Sequence, residues 1–399
     1  MKALAAAPLA AGLPALAASP SPPLLILVFL YGGNDGYNTF VPYTDTTYYS
    51  VRPNIAVARD SVLKITDRHG FHPSLAPMMS MWEARELALV QGIGNADATQ
   101  QHFRDLEMAF TGCDGDEFSR DGWVTKALMR NASRNPDDRV SSSAALQNAG
   151  DRGPIPGIDA IAFDILDIRQ SDPMGPFRGD KLGVVHLYYA QEYLAKRRFS
   201  DCAIETNDPA RNAVARARDL PASTLKTRFP TDAFGEAARA AVELAAFDRT
   251  LPVIQIALDG PDGEKHHSVD CHWDQVKYHG DALKRLAEGL AAMRAGLQEI
   301  GRWNETLVAT YDEFGRCPTE NTDRGTHHGL ATTHFVMGGR VKGGLYGEAP
   351  AVVRMHPIGG PAPVVDTRRL WTTVIERFWN RSASGVFTRR FEPLDLLRA

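Results

Sequence analysis

The stretch LLILVFLYGGNDG, residues 24–36, decides the fold of this chain. Its first eight residues are apolar without alternation, which predicts a strand buried on both faces, as in a parallel sheet covered by helices. Gly32 and Gly33 then allow a sharp turn, and Asp35 follows with a carboxylate. Because ligands of such sheets gather where strands end, we expect Asp35 to lie in a functional site.

Further apolar runs support an α/β fold with a mostly parallel central sheet and helices on both faces. They lie at 87–91, 183–188, 251–258, 305–311 and 333–338. Between strands, leucines recur every three or four residues over 281–300, which predicts a helix. We expect one domain over 24–399, with residues 112–245 forming long insertions that cap the site.

The composition excludes some partners and indicates export. A net charge of −4 over 399 residues argues against nucleic acid as a partner. The leader MKALAAAPLAAGLPALAAS has one lysine, an alanine-rich run and Ala-Leu-Ala at 15–17, which predicts a signal peptide over residues 1–18. A disordered leader is the alternative. No later apolar run approaches the roughly 20 residues that cross a bilayer, so we expect a periplasmic or secreted protein without a transmembrane segment.

The four cysteines predict no fixed framework. They are Cys113, Cys202, Cys271 and Cys317, without CxxC spacing. Their pairing stays open, as does the oligomeric state of the chain.

Polar clusters follow four of the apolar runs, and histidine dominates the last two. Seven of the 12 histidines lie between 266 and 334, interleaved with carboxylates. Imidazole with carboxylate is the usual ligand mix for Zn, Mn or Fe, so we predict one or two divalent transition-metal ions, with Zn first. Arg316 and Arg104 are candidates to neutralise the oxygens of a bound anion, with a structural ion pair as the alternative for each.

An ordered set of motifs resembles a known family. The motifs are GGNDGYNTxxP from 32, QHF from 101, DCHWDQ from 270, EFGR from 313, GTHHG from 325 and VKGGLYGE from 341. Together they resemble the exported family called domain of unknown function 1501, in the alkaline phosphatase and sulfatase-like superfamily. The resemblance implies an alkaline-phosphatase-like fold and a twin-arginine export signal. The sequence begins at MKALAAAP, and we interpret this start as placed just inside that signal, so that the signal is truncated.

The resemblance also implies roles for individual residues. Asp35 resembles the carboxylate that holds one metal beside the nucleophile, and Asp270 and His272 resemble the pair that binds the other metal. Glu313 takes the place of a further metal-binding acid, and His328 resembles a late metal-binding histidine. We add His327 and His279 as further candidate ligands.

Three positions depart from the superfamily pattern. Phe314 stands where the second metal gains a histidine, Gln101 stands where many members have a serine, and His327 replaces an aspartate. Because glutamine is no nucleophile, Thr99 is the first substitute to consider, with a helix cap as its alternative. His102 is a candidate general acid/base or anion contact, with a capping histidine as its alternative.

The favoured hypothesis is an exported, metal-dependent hydrolase of phosphate or sulfate esters, acting on a small molecule or a glycan, in which water at a metal ion is one candidate nucleophile. A non-haem iron or copper oxidoreductase on the same scaffold is the second hypothesis. The third is a catalytically degenerate protein that binds a partner or a surface glycan through its insertions.

Overall fold

The structure, a computed structural model, describes residues 23–117, 122–129, 224–247, 249, 251–258, 269–353 and 359–398. The predicted signal peptide, most of the predicted insertion region and the apolar run at 183–188 lie outside these residues. Elements are numbered in chain order within the described residues.

Twelve strands form three sheets in the described part of the chain. They are β1 (Leu24–Leu30), β2 (Phe40–Val41), β3 (Leu63–Lys64), β4 (Gly70–Phe71), β5 (Leu87–Gly94), β6 (Val253–Leu258), β7 (Thr306–Tyr311), β8 (Gly315–Glu320), β9 (Thr326–Gly329), β10 (Thr332–Met337), β11 (Gly344–Gly347) and β12 (Val365–Asp366). The helices of the same residues are α1 (Gly36–Thr39), α2 (Thr46–Val51), α3 (Met79–Glu83), α4 (His102–Thr111), α5 (Trp123–Met129), α6 (Ala233–Phe247), α7 (Gln275–Glu299) and α8 (Thr367–Thr373).

The central sheet is mostly parallel, as predicted. Its strand order is β11-β5-β10-β7-β1-β6, with β12 also paired to β5. β1 pairs in parallel with β6 and β7, and β11 and β12 pair in parallel with β5. Only β10 runs antiparallel to its neighbours among these seven strands. The predicted runs at 24, 87, 251, 305 and 333 all form strands of this sheet.

Helices α4 and α8 pack on one face of the sheet, and strand β4 packs on the other. Phe29 on β1 contacts Phe110 of α4, and its neighbour Tyr311 on β7 contacts Trp371 of α8. On β10, Phe335 points to the opposite face and contacts Phe71. Every residue of β1 is buried, which explains why its sequence shows no alternation. The predicted helix over 281–300 is the C-terminal part of α7.

Two further expectations concern the described residues. No helix among them is long and apolar enough to cross a membrane. The three described cysteines, Cys113, Cys271 and Cys317, are buried and form no disulfide with one another.

Candidate metal centre

The carboxyl ends of β1, β5 and β7 carry the predicted polar residues to one edge of the sheet. The turn after β1 contains Gly32 and Gly33, both with positive φ, at 99° and 83°. A Cβ atom on Gly32 would lie 2.1 Å from the Cβ of Asp270, so only glycine lets the turn pass beside that residue. Gly32 therefore makes room for Asp270, and Gly33 makes room for Phe314.

Three predicted residues come together as a possible metal site. The ligand atoms of His102, Asp270 and His328 all lie within 4.8 Å of one another, and the three side chains are half-buried. His102 Nε2 lies 3.7 Å from Asp270 Oδ2, and His328 Nε2 lies 3.6 Å from Asp270 Oδ1. We call these three residues the ligand group.

His272 lies directly beside the ligand group. Its Nε2 is 3.1 Å from Asp270 Oδ1 and 3.0 Å from His328 Nε2. Two nitrogens bound to one tetrahedral Zn²⁺ at about 2.0–2.1 Å stand about 3.3 Å apart, so this spacing is close to that of co-ligands. The DCHWDQ motif thus contributes both Asp270 and His272 to the centre.

Outer contacts orient the two histidines of the ligand group. His328 Nδ1 donates to the carbonyl oxygen of Gln100 over 2.8 Å, and His102 Nδ1 lies 2.9 Å from Glu313 Oε1. A carbonyl only accepts, so His328 carries its proton on Nδ1 and presents Nε2 with a lone pair. Metal-binding histidines commonly have this outer contact to a carbonyl or a carboxylate. The chemistry of the donors fits a divalent transition metal.

Burial and a neighbouring carboxylate shift the pKa values of the two histidines of the ligand group in opposite directions. Burial lowers the pKa of His328 and outweighs the nearby negative charge of Asp270, so the neutral ring is favoured. Burial also acts to lower the pKa of His102, but the hydrogen bond and charge of Glu313 raise it above its ordinary value. Protons therefore compete with a metal ion for His102 more strongly than they do for His328.

Arg316 forms a buried ion pair with Asp270, the structural role that was the alternative to neutralising a bound anion. Its guanidinium is buried and donates to the carbonyl oxygens of Gly33 and Thr326, both over 3.0 Å, to that of Gly32, and to Asp270. Burial raises the pKa of Asp270, but the bond of His272, the nearby ring of His328 and the charge of Arg316 hold it far below its usual range. Arg316 thus keeps Asp270 ionised and ties it to the glycine turn.

Glu313 contacts His102 on the Nδ1 side of the ring, away from Asp270. Its Oε1 accepts from the backbone N–H of Gly32 over 2.9 Å as well as contacting His102 Nδ1. Its Oε2 is buried without a hydrogen-bond partner among the described residues. A cavity of about 20 Å³ lined by Glu313, Asp105 and Asn95 adjoins it, which is room for about one water. Glu313 is therefore placed to orient His102.

Asp35 lies outside the ligand group, in a buried ion pair. Its Oδ2 accepts from Arg52 Nη1 over 2.5 Å and from Gln275, and its Oδ1 caps α1 by accepting from the N–H of Tyr37 over 3.1 Å. Burial raises the pKa of Asp35, but the charge and hydrogen bond of Arg52 bring it below its ordinary value. Sequence reasoning missed Arg52, which stands in no motif.

His279 and His327 also lie outside the ligand group. His279 is buried, contacts the side-chain oxygen of Asn34 over 3.0 Å, and has its pKa lowered to about 3 by burial. His327 is half-buried, with its ring centre 5.9 Å from that of His272. Arg104 pairs with Glu107 over 2.8 Å, the structural ion pair that was its alternative.

Aromatic rings enclose the histidines of the centre. Phe314 stacks on His328 with ring centres 4.2 Å apart and lies 5.0 Å from His102. Tyr31 stacks on His102 at 5.7 Å. The departure at Phe314 thus places an apolar ring beside the ligand group, where the superfamily pattern has another histidine.

The loop before α4 contains the other departure. Gln101 is the exposed N-cap of α4 and makes no side-chain cap bond, while His102 opens the helix. The hydroxyl of Thr99 donates to Asp105 Oδ1 over 2.8 Å and accepts from the N–H of Gln101 over 3.3 Å. Thr99 therefore takes part in the local bonding that precedes the helix.

Comparison with known proteins confirms the family resemblance. Residues 191–357 match the family model described as "Protein of unknown function (DUF1501)". This range contains Asp270, His272, Glu313 and His328. No curated protein matches the chain.

Several solved structures show limited similarity. One is Ps i-CgsB in complex with k-i-k-neocarrahexaose, with 12% identity and a TM-score of 0.38, covering 91% of this chain and 73% of that chain. Another is the PsFucS1 sulfatase from Pseudoalteromonas sp., with 13% identity and a TM-score of 0.37, covering 94% and 71%. The lipoteichoic acid synthase LtaP from Listeria monocytogenes has 9% identity and a TM-score of 0.30, covering 85% and 67%.

Proposed function

We propose that this chain, with its DUF1501 match, is an exported metal-dependent hydrolase of phosphate or sulfate esters. The observation that carries the proposal is the ligand group, in which an outer acceptor orients each histidine. Two histidines and a carboxylate with a position left for water or substrate are a common catalytic zinc set. When bound, a divalent ion would polarise the ester and lower the pKa of a coordinated water.

The chain's own residues supply holding and orientation. His102, Asp270 and His328 would hold the ion, and His272 stands within reach as a fourth donor or as a substrate contact. The apolar ring of Phe314 beside these residues favours one ion over two. Zn²⁺ is our first choice, with Mn and Fe as alternatives.

Water is the nucleophile we favour. Gln101 offers no hydroxyl at the start of α4, and the hydroxyl of Thr99 is hydrogen-bonded to Asp105. The Nδ1 of His102 donates to Glu313 and leaves Nε2 for the ion, so in this proposal His102 acts as a ligand and not as the general acid/base. The substrate class we propose is a small-molecule or glycan ester bearing phosphate or sulfate.

The same donor set supports a second candidate function. Two histidines and one carboxylate on one side of an ion are also the ligands of non-haem iron enzymes that use dioxygen. Iron in the isolated protein together with dioxygen uptake would favour this oxidoreductase over the hydrolase.

Elemental analysis of the natively exported protein, followed by a panel of phosphate, phosphonate and sulfate esters, tests the proposal. We expect about one divalent ion per chain and turnover of at least one ester. Asp270→Asn should lose both, whereas Asp274→Asn should keep both because Asp274 is exposed and makes no side-chain cap bond. Stoichiometric metal without turnover of any ester would reject the hydrolase.

A further inference from the structure

We propose that Asp105 is a positioning residue of the metal centre, which it serves through the backbone of Gln100. The inference rests on the proposed metal site and adds a residue that touches neither ion nor substrate. Asp105 is buried and lies one helical turn after His102 on α4.

The carboxylate of Asp105 binds the loop that precedes its own helix. Its Oδ1 accepts from the N–H of Thr99 over 2.7 Å and from the Thr99 hydroxyl over 2.8 Å, and its Oδ2 accepts from the N–H of Gln100 over 2.7 Å. Three short bonds from two consecutive residues fix the loop more firmly than a single cap bond does.

The bound loop holds Gln100 in a conformation that glutamine seldom adopts. Its φ is +61°, in the left-handed region, which is sterically unfavourable for a residue with a Cβ atom. Such a conformation persists where surrounding contacts impose it, and the bonds to Asp105 are those contacts.

The conformation of Gln100 matters because of where its carbonyl points. The Gln100 oxygen accepts the Nδ1 proton of His328 over 2.8 Å. That bond fixes the tautomer and ring orientation that present Nε2 of His328 to the ion. Asp105 therefore links the start of α4, which carries His102, to β9, which carries His328.

A purely local cap would have a different effect from a positioning residue. Loss of a cap lowers stability and leaves the metal geometry alone. Loss of the Gln100 carbonyl from His328 lowers metal affinity and alters the coordination of the ion.

The test compares Asp105→Asn with Asp97→Asn in the full chain. Asp97 is an exposed carboxylate of the same loop. Zn²⁺ affinity is measured by competition with a chelator, and Co²⁺ absorption spectra report the coordination. We expect Asp105→Asn to bind Zn²⁺ about 10–100-fold more weakly and to change the Co²⁺ spectrum, and Asp97→Asn to match the wild type.

A second pair keeps the test decisive if Asp105→Asn does not fold. Thr99→Val removes one bond to Asp105 and should weaken Zn²⁺ binding several-fold, whereas Thr99→Ser keeps the hydroxyl and the affinity. If Asp105→Asn folds and has the Zn²⁺ affinity and Co²⁺ spectrum of the wild type, the inference is overturned and the metal site stands. If Asp105→Asn does not fold, the same result in Thr99→Val overturns the inference. A wild-type protein that binds no metal would overturn both the site and this inference.

Discussion

Asp35→Asn separates a structural role of Asp35 from the metal-binding role that its motif implies. In the structure Asp35 and Arg52 form an ion pair with both side chains at most 1% exposed. The substitution keeps the shape of the side chain and an acceptor for the cap of α1. It removes the charge that compensates the buried guanidinium.

The expected cost comes from the buried charge. Removing one partner of a buried ion pair typically costs about 3–5 kcal/mol. Arg52 also donates to Asn38 and to the carbonyl oxygens of Cys317 and Pro318, which remain, so we expect about 3 kcal/mol. That is a large part of the roughly 5–15 kcal/mol by which domains are stable.

Asp312→Asn is the matched control. Asp312 is another buried carboxyl that follows a strand, but burial raises its pKa well above the ordinary value, which disfavours the charged form, and no arginine forms an ion pair with it among the described residues. Its Oδ2 accepts from the N–H of Asn34 over 3.0 Å, a bond that asparagine can keep. We expect this substitution to change the free energy of unfolding by less than about 1 kcal/mol.

The assay is urea unfolding of the metal-free full chain at pH 7 and in acid. Because the pKa of Asp35 is lowered by folding, its contribution is present above the ordinary value of 3.8 and is lost as the pH falls further. The gap between wild type and Asp35→Asn should therefore narrow in acid. A gap below about 1 kcal/mol at pH 7, or loss of metal binding with unchanged stability of the metal-free protein, would refute the reasoning.

Three further substitutions test the centre by metal affinity. Asp270→Asn should weaken Zn²⁺ binding by more than the roughly 10–100-fold expected for an outer contact, because all three histidines of the centre face this carboxylate; chelator competition measures it. Glu313→Ala should weaken binding by about 10–100-fold in the same assay through the lost orientation of His102, and Glu83→Ala, on an exposed position of α3, should have no effect. His272→Ala should retain one ion per chain by elemental analysis, because three donors remain; a chain without metal would show that His272 is indispensable.

The sheet was largely predictable because its signals are local. Of the ligand group, Asp270 and His328 were expected as ligands, whereas His102 was expected as a general acid/base or anion contact. An uninterrupted apolar run announces a buried strand, and parallel strands bring their carboxyl ends to one edge. His102, Asp270 and His328 each follow or adjoin such a run, so their convergence could be expected from the order of the motifs.

The surroundings of the centre were not predictable, for physical reasons. Asp35 accepts hydrogen bonds from both Arg52 and Gln275 in the interior, and no spacing in the sequence encodes these two contacts. The partner of His328 is a backbone carbonyl, which every residue has, so Gln100 carries no sequence signal. Asp35 was expected at the metal from its motif. A carboxylate after a strand can serve as a ligand, a helix cap or an ion-pair partner, and the sequence does not distinguish these roles.

The most direct test of the central claim is the number of metal ions per chain in the wild type and in Asp270→Asn, measured by elemental analysis of both proteins prepared identically. The account predicts about one divalent transition-metal ion per chain in the wild type and close to none in Asp270→Asn. Equal metal content in the two proteins, or a wild type without metal, would contradict it.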